Sequence, residues 1–333
     1  MSKKNQPAYL FPSSKPFNEG YLRVSSLHQV WYAQYGNPQG IPVIVLHGGP
    51  GAGCNDNEMR FFDQTFWHVI LLDQRATKRS TPFAEMKENN TQALIADLEK
   101  LREHLDIKKW LVFGGSWGST LALTYGQAHP NKVIGFILRG IFLARAQEDK
   151  QLWYGMKDIF PDSWQEFNDF IMPANQNDLK AAYHDLVMHP KADIALPAAR
   201  AFMKYDLSCS FLKTNKAQLD NLLTNDKLIL GVARTFIHYS VNQFFLKENQ
   251  ILNNIDKINH LPLIIVQGRY DIITRPLTAY ELHKAWPGSK LVFAQAAGHS
   301  AMEVNIAKQL VKATEQMKKS LRVNNELFES PAN

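Results

Sequence analysis

A serine stands between paired glycines in Gly114-Gly115-Ser116-Trp117-Gly118, and its surroundings suit covalent chemistry. It follows the apolar run Trp110-Leu-Val-Phe113 and precedes the helical stretch Thr120-Leu-Ala-Leu-Thr-Tyr125. A chain that turns so sharply from strand to helix strains its central residue, and side chains two positions to either side would meet the backbone. Glycine removes the Cβ at both places. The stretch therefore reads as a nucleophile elbow with Ser116 as the nucleophile.

A serine hydroxyl needs a base to take its proton and an acid to orient that base. On a strand–elbow–helix scaffold the chain order is serine, acid, histidine. Asp271 follows the apolar Leu261-Pro-Leu-Ile-Ile-Val266 through a short loop, and His299 follows Leu291-Val-Phe293 through Ala294-Gln-Ala-Ala-Gly298. Both fall at the end of a strand, on the edge that carries the elbow. The rivals fit less well. His260 precedes its strand, and His283 lies inside the helical Leu277 to Trp286, so both read as surface or packing residues. Asp73 ends a strand on the correct edge but precedes Ser116, and it reads as a brace for its loop, paired with Arg75.

Acyl transfer also needs donors for a developing oxyanion. The backbone N–H of Trp117 is one, and the loop His47-Gly-Gly-Pro-Gly-Ala-Gly53 offers a second at Gly49. That loop is not a phosphate cradle of the P-loop kind, because no lysine followed by serine or threonine closes it.

The elements that must hold these residues follow from hydrophobic patterning. Six short, almost wholly apolar runs, Ile41 to Leu46, Val69 to Leu72, Trp110 to Phe113, Val133 to Leu138, Leu261 to Val266 and Lys290 to Phe293, fit strands buried on both faces of a parallel sheet. Helical patterns lie between several of them, as in Gln92 to Leu105. The alternation predicts an α/β doubly wound, mostly parallel sheet. From 143 to 256 strand-like runs vanish and amphipathic helical segments follow one another, at 163–171, 178–189, 197–212 and 227–246. The expectation is a core of 1–142 and 257–323, an all-helical cap of 143–256 over the sheet's C-terminal edge, and a flexible tail of 324–333.

Composition is that of an ordinary globular protein: 333 residues, 45% apolar, 20% charged, net charge +6. Basic residues are interspersed with acids, and no nucleic-acid reader motif accompanies the charge, so nucleic acid is not an expected partner. No apolar run reaches the ~18 residues of a membrane span. The two cysteines, far apart, and an N-terminus without a continuous apolar segment point to a cytoplasmic protein.

With these residues assembled, the chain resembles the proline iminopeptidase (prolyl aminopeptidase) family of α/β-hydrolases. The likeness runs through Gly20-Tyr-Leu-Arg-Val, Tyr35-Gly-Asn-Pro, His47-Gly-Gly-Pro-Gly51, Leu72-Asp-Gln-Arg75, the elbow, Leu138-Arg-Gly-Ile-Phe142, Phe160-Pro-Asp-Ser-Trp164, Gly268-Arg-Tyr-Asp271 and Ala297-Gly-His-Ser-Ala301. It implies a triad of Ser116, Asp271 and His299, peptide substrates with an N-terminal proline, and no metal or organic cofactor. It further implies that Phe142 walls an apolar ring site and that cap carboxylates hold the substrate's amino end.

The chain departs from the family in that cap. Ala198-Ala-Arg-Ala-Phe-Met-Lys-Tyr205-Asp206 stands where a Trp-Glu pair is usual, so Asp206 keeps the charge on a shorter arm, with Tyr205 beside it. In Ala233-Arg-Thr-Phe-Ile-His-Tyr239, Phe236 occupies the place of a second glutamate. Thr274 replaces a family cysteine, and Ala76 to Ser80 replaces a glycine-rich loop with a stiffer, more basic one. Two competing readings follow: an esterase or amidase for small apolar acyl groups, which Phe236 favours, and a non-catalytic binding protein on the same fold, which the intact triad opposes.

Overall fold

A computed structural model describes residues 9–329 and gathers the apolar runs into one eight-stranded sheet. The strands are β1 (Asn18–Arg23), β2 (Gln29–Gly36), β3 (Ile41–Leu46), β4 (Trp67–Asp73), β5 (Trp110–Ser116), β6 (Val133–Ile141), β7 (Leu263–Gly268) and β8 (Lys290–Ala294), in spatial order β1-β2-β4-β3-β5-β6-β7-β8. From β4 to β8 all pairings are parallel, while β1 and β2 join antiparallel at one edge. The apolar-run pattern misses these two strands. β1 is an edge strand with alternating exposure, and β2 mixes polar with aromatic residues, so neither is a continuous apolar run.

Strand residues alternate between two cores. Ile44, Leu46 and Val112 face one, which α1 (Thr91–His104) and α2 (Trp117–Ala128) cover through Leu94, Leu98, Leu101 and Leu121. Val43, Val45, Leu111 and Phe113 face the other.

Between β6 and β7 the chain forms only helices: α3 (Ala146–Lys150), α4 (Pro161–Asp169), α5 (Leu179–Val187), α6 (Ala192–Cys209), α7 (Lys216–Leu222), α8 (Asp226–Val241), α9 (Gln250–Asn253) and short 3-10 and π turns. The long α8 ends at Val241, five residues short of the expected Leu246, because Gln243, Phe244 and Phe245 turn left-handed. After β7 comes α10 (Pro276–Ala285), on the α1 and α2 face, and after β8 comes α11 (Val304–Glu329), whose Ile306, Ala307 and Leu310 close the second core. α11 runs on into the expected tail, and residues 330–333 lie outside the described residues. No helix among the described residues is long and apolar enough to cross a membrane.

Candidate active site

Ser116 sits at the junction of β5 and α2 with φ 58° and ψ −127°, a left-handed conformation that a side chain tolerates poorly. The neighbouring glycines show why it persists. A Cβ on Gly114 would lie 2.3 Å from the carbonyl oxygen of Gly118, and one on Gly118 would lie 2.0 Å from that of Leu46. Backbone packs on backbone here, and only glycine fits. Ser119 fastens the turn further: its hydroxyl donates to the Ser116 carbonyl (2.7 Å) and accepts from the Phe142 N–H (3.1 Å).

Asp271 and His299 meet across two loops. Nδ1 of His299 lies 2.9 Å from Oδ2 of Asp271, which is 3% exposed. Asp271 also accepts from Nε2 of Gln267 (3.0 Å), from the Thr274 N–H (2.9 Å) and from the Thr274 hydroxyl (2.8 Å). A carboxylate so supplied orients the imidazole with Nδ1 protonated and leaves Nε2 as the basic nitrogen. The histidine's main chain is fixed as well, for its carbonyl accepts from Arg139 and its N–H donates to the Ser210 carbonyl (both 3.1 Å).

The glycine loop after β3 is held by His47. Burial pushes this imidazole down to about 4, so it is neutral at physiological pH. Its Nε2 accepts from the Gln74 N–H (3.0 Å), and its Nδ1–H donates to the Gly48 carbonyl (2.9 Å). The Gln74 amide spans the gap to the elbow: Nε2 donates to the His47 carbonyl (3.0 Å), and Oε1 accepts from the Trp117 indole (2.9 Å). A Cβ on Gly48 would lie 3.1 Å from that of Ser116, so the loop passes directly beside the serine.

Ser116, His299, Gly48 and Gly49 open into one cavity of about 350 Å³ between the sheet edge and the helices above it. Phe142, Leu152, Met203 and Phe236 make it largely apolar, and Asp206 brings a carboxylate from α6. Burial raises that carboxyl to about 6, partly offset by the nearby His299. Phe236 packs its ring on Phe202 (5.2 Å between centroids) and edge-on to Phe244 (6.2 Å).

Not every expected residue reaches the cavity. Tyr205 does not line it: its ring stacks on Phe167 (4.5 Å) on another side of α6, and its hydroxyl is buried with no hydrogen-bond partner among the described residues. Asp73 does brace its loop, but with Arg79 (2.6 Å) and the Cys54 N–H (2.7 Å); Arg75 instead pairs with Asp97 (2.6 Å) in the core. The side chain four residues further along thus reaches back across the left-handed Ala76 and Lys78. His260 is exposed, and His283 bonds Ser289 (2.7 Å), away from the site.

Sequence reasoning missed Gln267, Arg139 and Glu58. A polar residue ending the apolar β7 and a charged one inside β6 were the available signals for the first two. Glu58 lines the cavity and is pushed up to about 7 by burial, with the half-buried Arg139 acting against the rise. Among the described residues no group of three or more His, Cys, Asp or Glu side chains is arranged to hold a metal ion.

Residues 41–306 match the alpha/beta hydrolase fold family. An esterase from Exiguobacterium antarcticum shares the fold, with a TM-score of 0.62 at 16% identity over 88% of this chain and 96% of that one. The chain is an α/β hydrolase. It is 46% identical over 315 residues to the proline iminopeptidase of Arabidopsis thaliana, covering 93% of this chain and 82% of that protein. It is 43% identical over 311 residues to the proline iminopeptidase of Neisseria gonorrhoeae, covering 92% and 98%. Within the α/β hydrolases it belongs to the proline iminopeptidase family.

Proposed function

We propose that this protein is a serine hydrolase that releases N-terminal proline, or a similar small residue, from short peptides in the cytoplasm. The observation that carries the reading is the single cavity shared by Ser116, His299 and the Asp206 carboxylate. The substrate's protonated amino end pairs with Asp206, and its ring lies against Phe142 and Phe236. His299 Nε2 takes the proton of the Ser116 hydroxyl as Oγ attacks the acyl carbon, and Asp271 holds the Nδ1–H of the imidazolium that forms. The oxyanion is received by the N–H groups of Gly49 and Trp117. The imidazolium returns its proton to the departing amine, leaving proline esterified to Ser116. Water then attacks the ester as His299 takes its proton, and the imidazolium returns that proton to Ser116 Oγ as proline leaves. The scheme requires no metal or organic cofactor. In this reading 143–256 is a cap on a core made of 1–142 and 257–323.

Comparing the wild type with Ser116→Ala on a prolyl amide and on a short aryl ester tests the proposal. Prolyl release that the substitution abolishes is the expected result. Ester cleavage without prolyl release would overturn the peptidase reading in favour of an esterase, the second reading that the aromatic wall around Phe236 supports. Loss of neither activity in Ser116→Ala would remove the serine from the mechanism.

A further inference from the structure

Hydrogen bonds between the helices and the histidine loop converge on Glu303, the residue just before α11. Its Oε2 accepts from the Gly298 N–H (2.7 Å), immediately before His299, and its Oε1 accepts from the Leu212 N–H (2.9 Å), just beyond α6. Between these contacts the Ser210 carbonyl accepts from the N–H groups of both His299 and Ser300 (3.1 Å each). The two segments run so close that a Cβ on Gly298 would lie 2.7 Å from the Leu212 nitrogen. One helical turn back, the Ser210 hydroxyl donates to the carbonyl of Asp206 (2.9 Å).

One carboxylate thus satisfies main-chain donors from both sides of the seam, and charge makes each bond stronger than a neutral one. Few other groups could do so. A glutamine would offer a single oxygen, and its NH₂ would face the second N–H donor to donor.

We infer that Glu303 is a positioning residue that locks the helix carrying Asp206 to the loop carrying His299, fixing the distance between the amine holder and the base. The inference rests on the reading of Asp206 as the group that holds the substrate's amino end. Misplacement by 1 Å costs on the order of 100-fold in rate, and this seam is where such a shift would arise.

The test is a double-mutant cycle of Glu303→Gln and Asp206→Asn, assayed on a prolyl amide and on a short aryl ester without an amino group. Rates are normalised to sites titrated with a fluorophosphonate, so unfolded protein does not count. Glu303→Gln should lower kcat/KM about 10- to 100-fold on the amide, with KM raised, and only about 2- to 3-fold on the ester. In the Asp206→Asn background its effect on the amide should shrink to the size seen on the ester, as coupled residues require. Equal losses on both substrates, or losses that simply multiply, would overturn the inference while Asp206→Asn still raised KM. An Asp206→Asn enzyme with unchanged KM would instead sink the amine-holding reading and this inference with it. If Glu303→Gln yields no titratable sites, Glu303→Asp, whose shorter arm cannot span both donors, must show the same substrate-dependent loss.

Discussion

Thr274 closes over the carboxylate of Asp271 from two directions, its N–H donating to Oδ1 (2.9 Å) and its hydroxyl to Oδ2 (2.8 Å). The hydroxyl also lies 3.2 Å from Nδ1 of His299, so it stands where the carboxylate meets the imidazole. Thr274→Val keeps the shape and removes that donor. A hydrogen bond to a charged group contributes about 1.5–3 kcal/mol. Steady-state kinetics should show kcat lowered about 10-fold with KM within about 2-fold, because the substitution touches the transition state more than the bound substrate.

Thiol reactivity follows from the same position. Cys54 and Cys209 are both buried, and burial raises the pKa of each thiol, which leaves little thiolate to react. Iodoacetamide should leave the native enzyme active, whereas Thr274→Cys should become sensitive to it. Inactivation of the wild type under native conditions would contradict this.

Asp206 sets a pH dependence. Burial raises its carboxyl to about 6, so the charge proposed to hold an ammonium group is present above that pH and lost below it. KM for a prolyl amide should therefore fall as pH rises through about 6, while KM for an ester without an amino group should not. Asp206→Asn should raise the amide KM about 10-fold at pH 8 and flatten its pH profile. The stability effect has the opposite sense. An unfolded aspartate ionises near 3.8 and the folded one near 6, so ionisation costs the fold stability as pH rises between those values. At pH 7 the Asn variant should melt at a higher temperature than the wild type.

Much of the frame was legible because burial leaves a plain mark on sequence. β3, β4, β5 and β7 are continuous apolar runs since both faces are covered, and the elbow's glycines are dictated by contacts of 2.0 and 2.3 Å. That Asp271 and His299 would come together was legible from their order along the chain and their places after strands. What stayed hidden depends on side-chain direction. Tyr205 and Asp206 are adjacent in sequence, yet about 100° apart around α6, so only one faces the cavity. Arg79 reaches Asp73 in place of Arg75 because left-handed residues between them reverse the chain, and no local pattern announces that in Ala76 and Lys78.

Phe236 tests what the aromatic wall does. Its ring is 8% exposed and sits between Phe202 and Phe244 while facing the cavity. Phe236→Glu places a second carboxylate beside the bound amino group but removes core packing, which costs about 3–5 kcal/mol. KM for prolyl substrates should fall several-fold, and the melting temperature should drop by about 5–10 °C. Activity on apolar aryl esters should decline in the same variant. A variant that melts lower with no change in KM would show Phe236 to be packing alone.

Gln243, Phe244 and Phe245 have φ values of 51°, 53° and 55°, a full left-handed turn without glycine. Each such residue costs about 1–2 kcal/mol, so neighbouring structure must hold the turn in place. Thr91 and Gln92 bond the carbonyls of Phe244 and Phe245 (2.6 and 2.8 Å). The Phe244 ring then wedges against Phe142 (4.9 Å) and stacks on Trp117 (5.9 Å), the residue after Ser116. The strain thus buttresses the elbow and the cavity wall together. Gln243 is exposed, so Gln243→Gly should relieve strain without touching the site and raise the melting temperature by about 2 °C with kcat unchanged. Gln243→Val should lower it, because a β-branched side chain fits a left-handed position worst. Phe244→Ala should destabilise by about 3–5 kcal/mol and also reduce kcat per titrated site, since the wall and Trp117 lose their common support. A melting temperature that fell in Gln243→Gly would show that the turn's conformation is not strained.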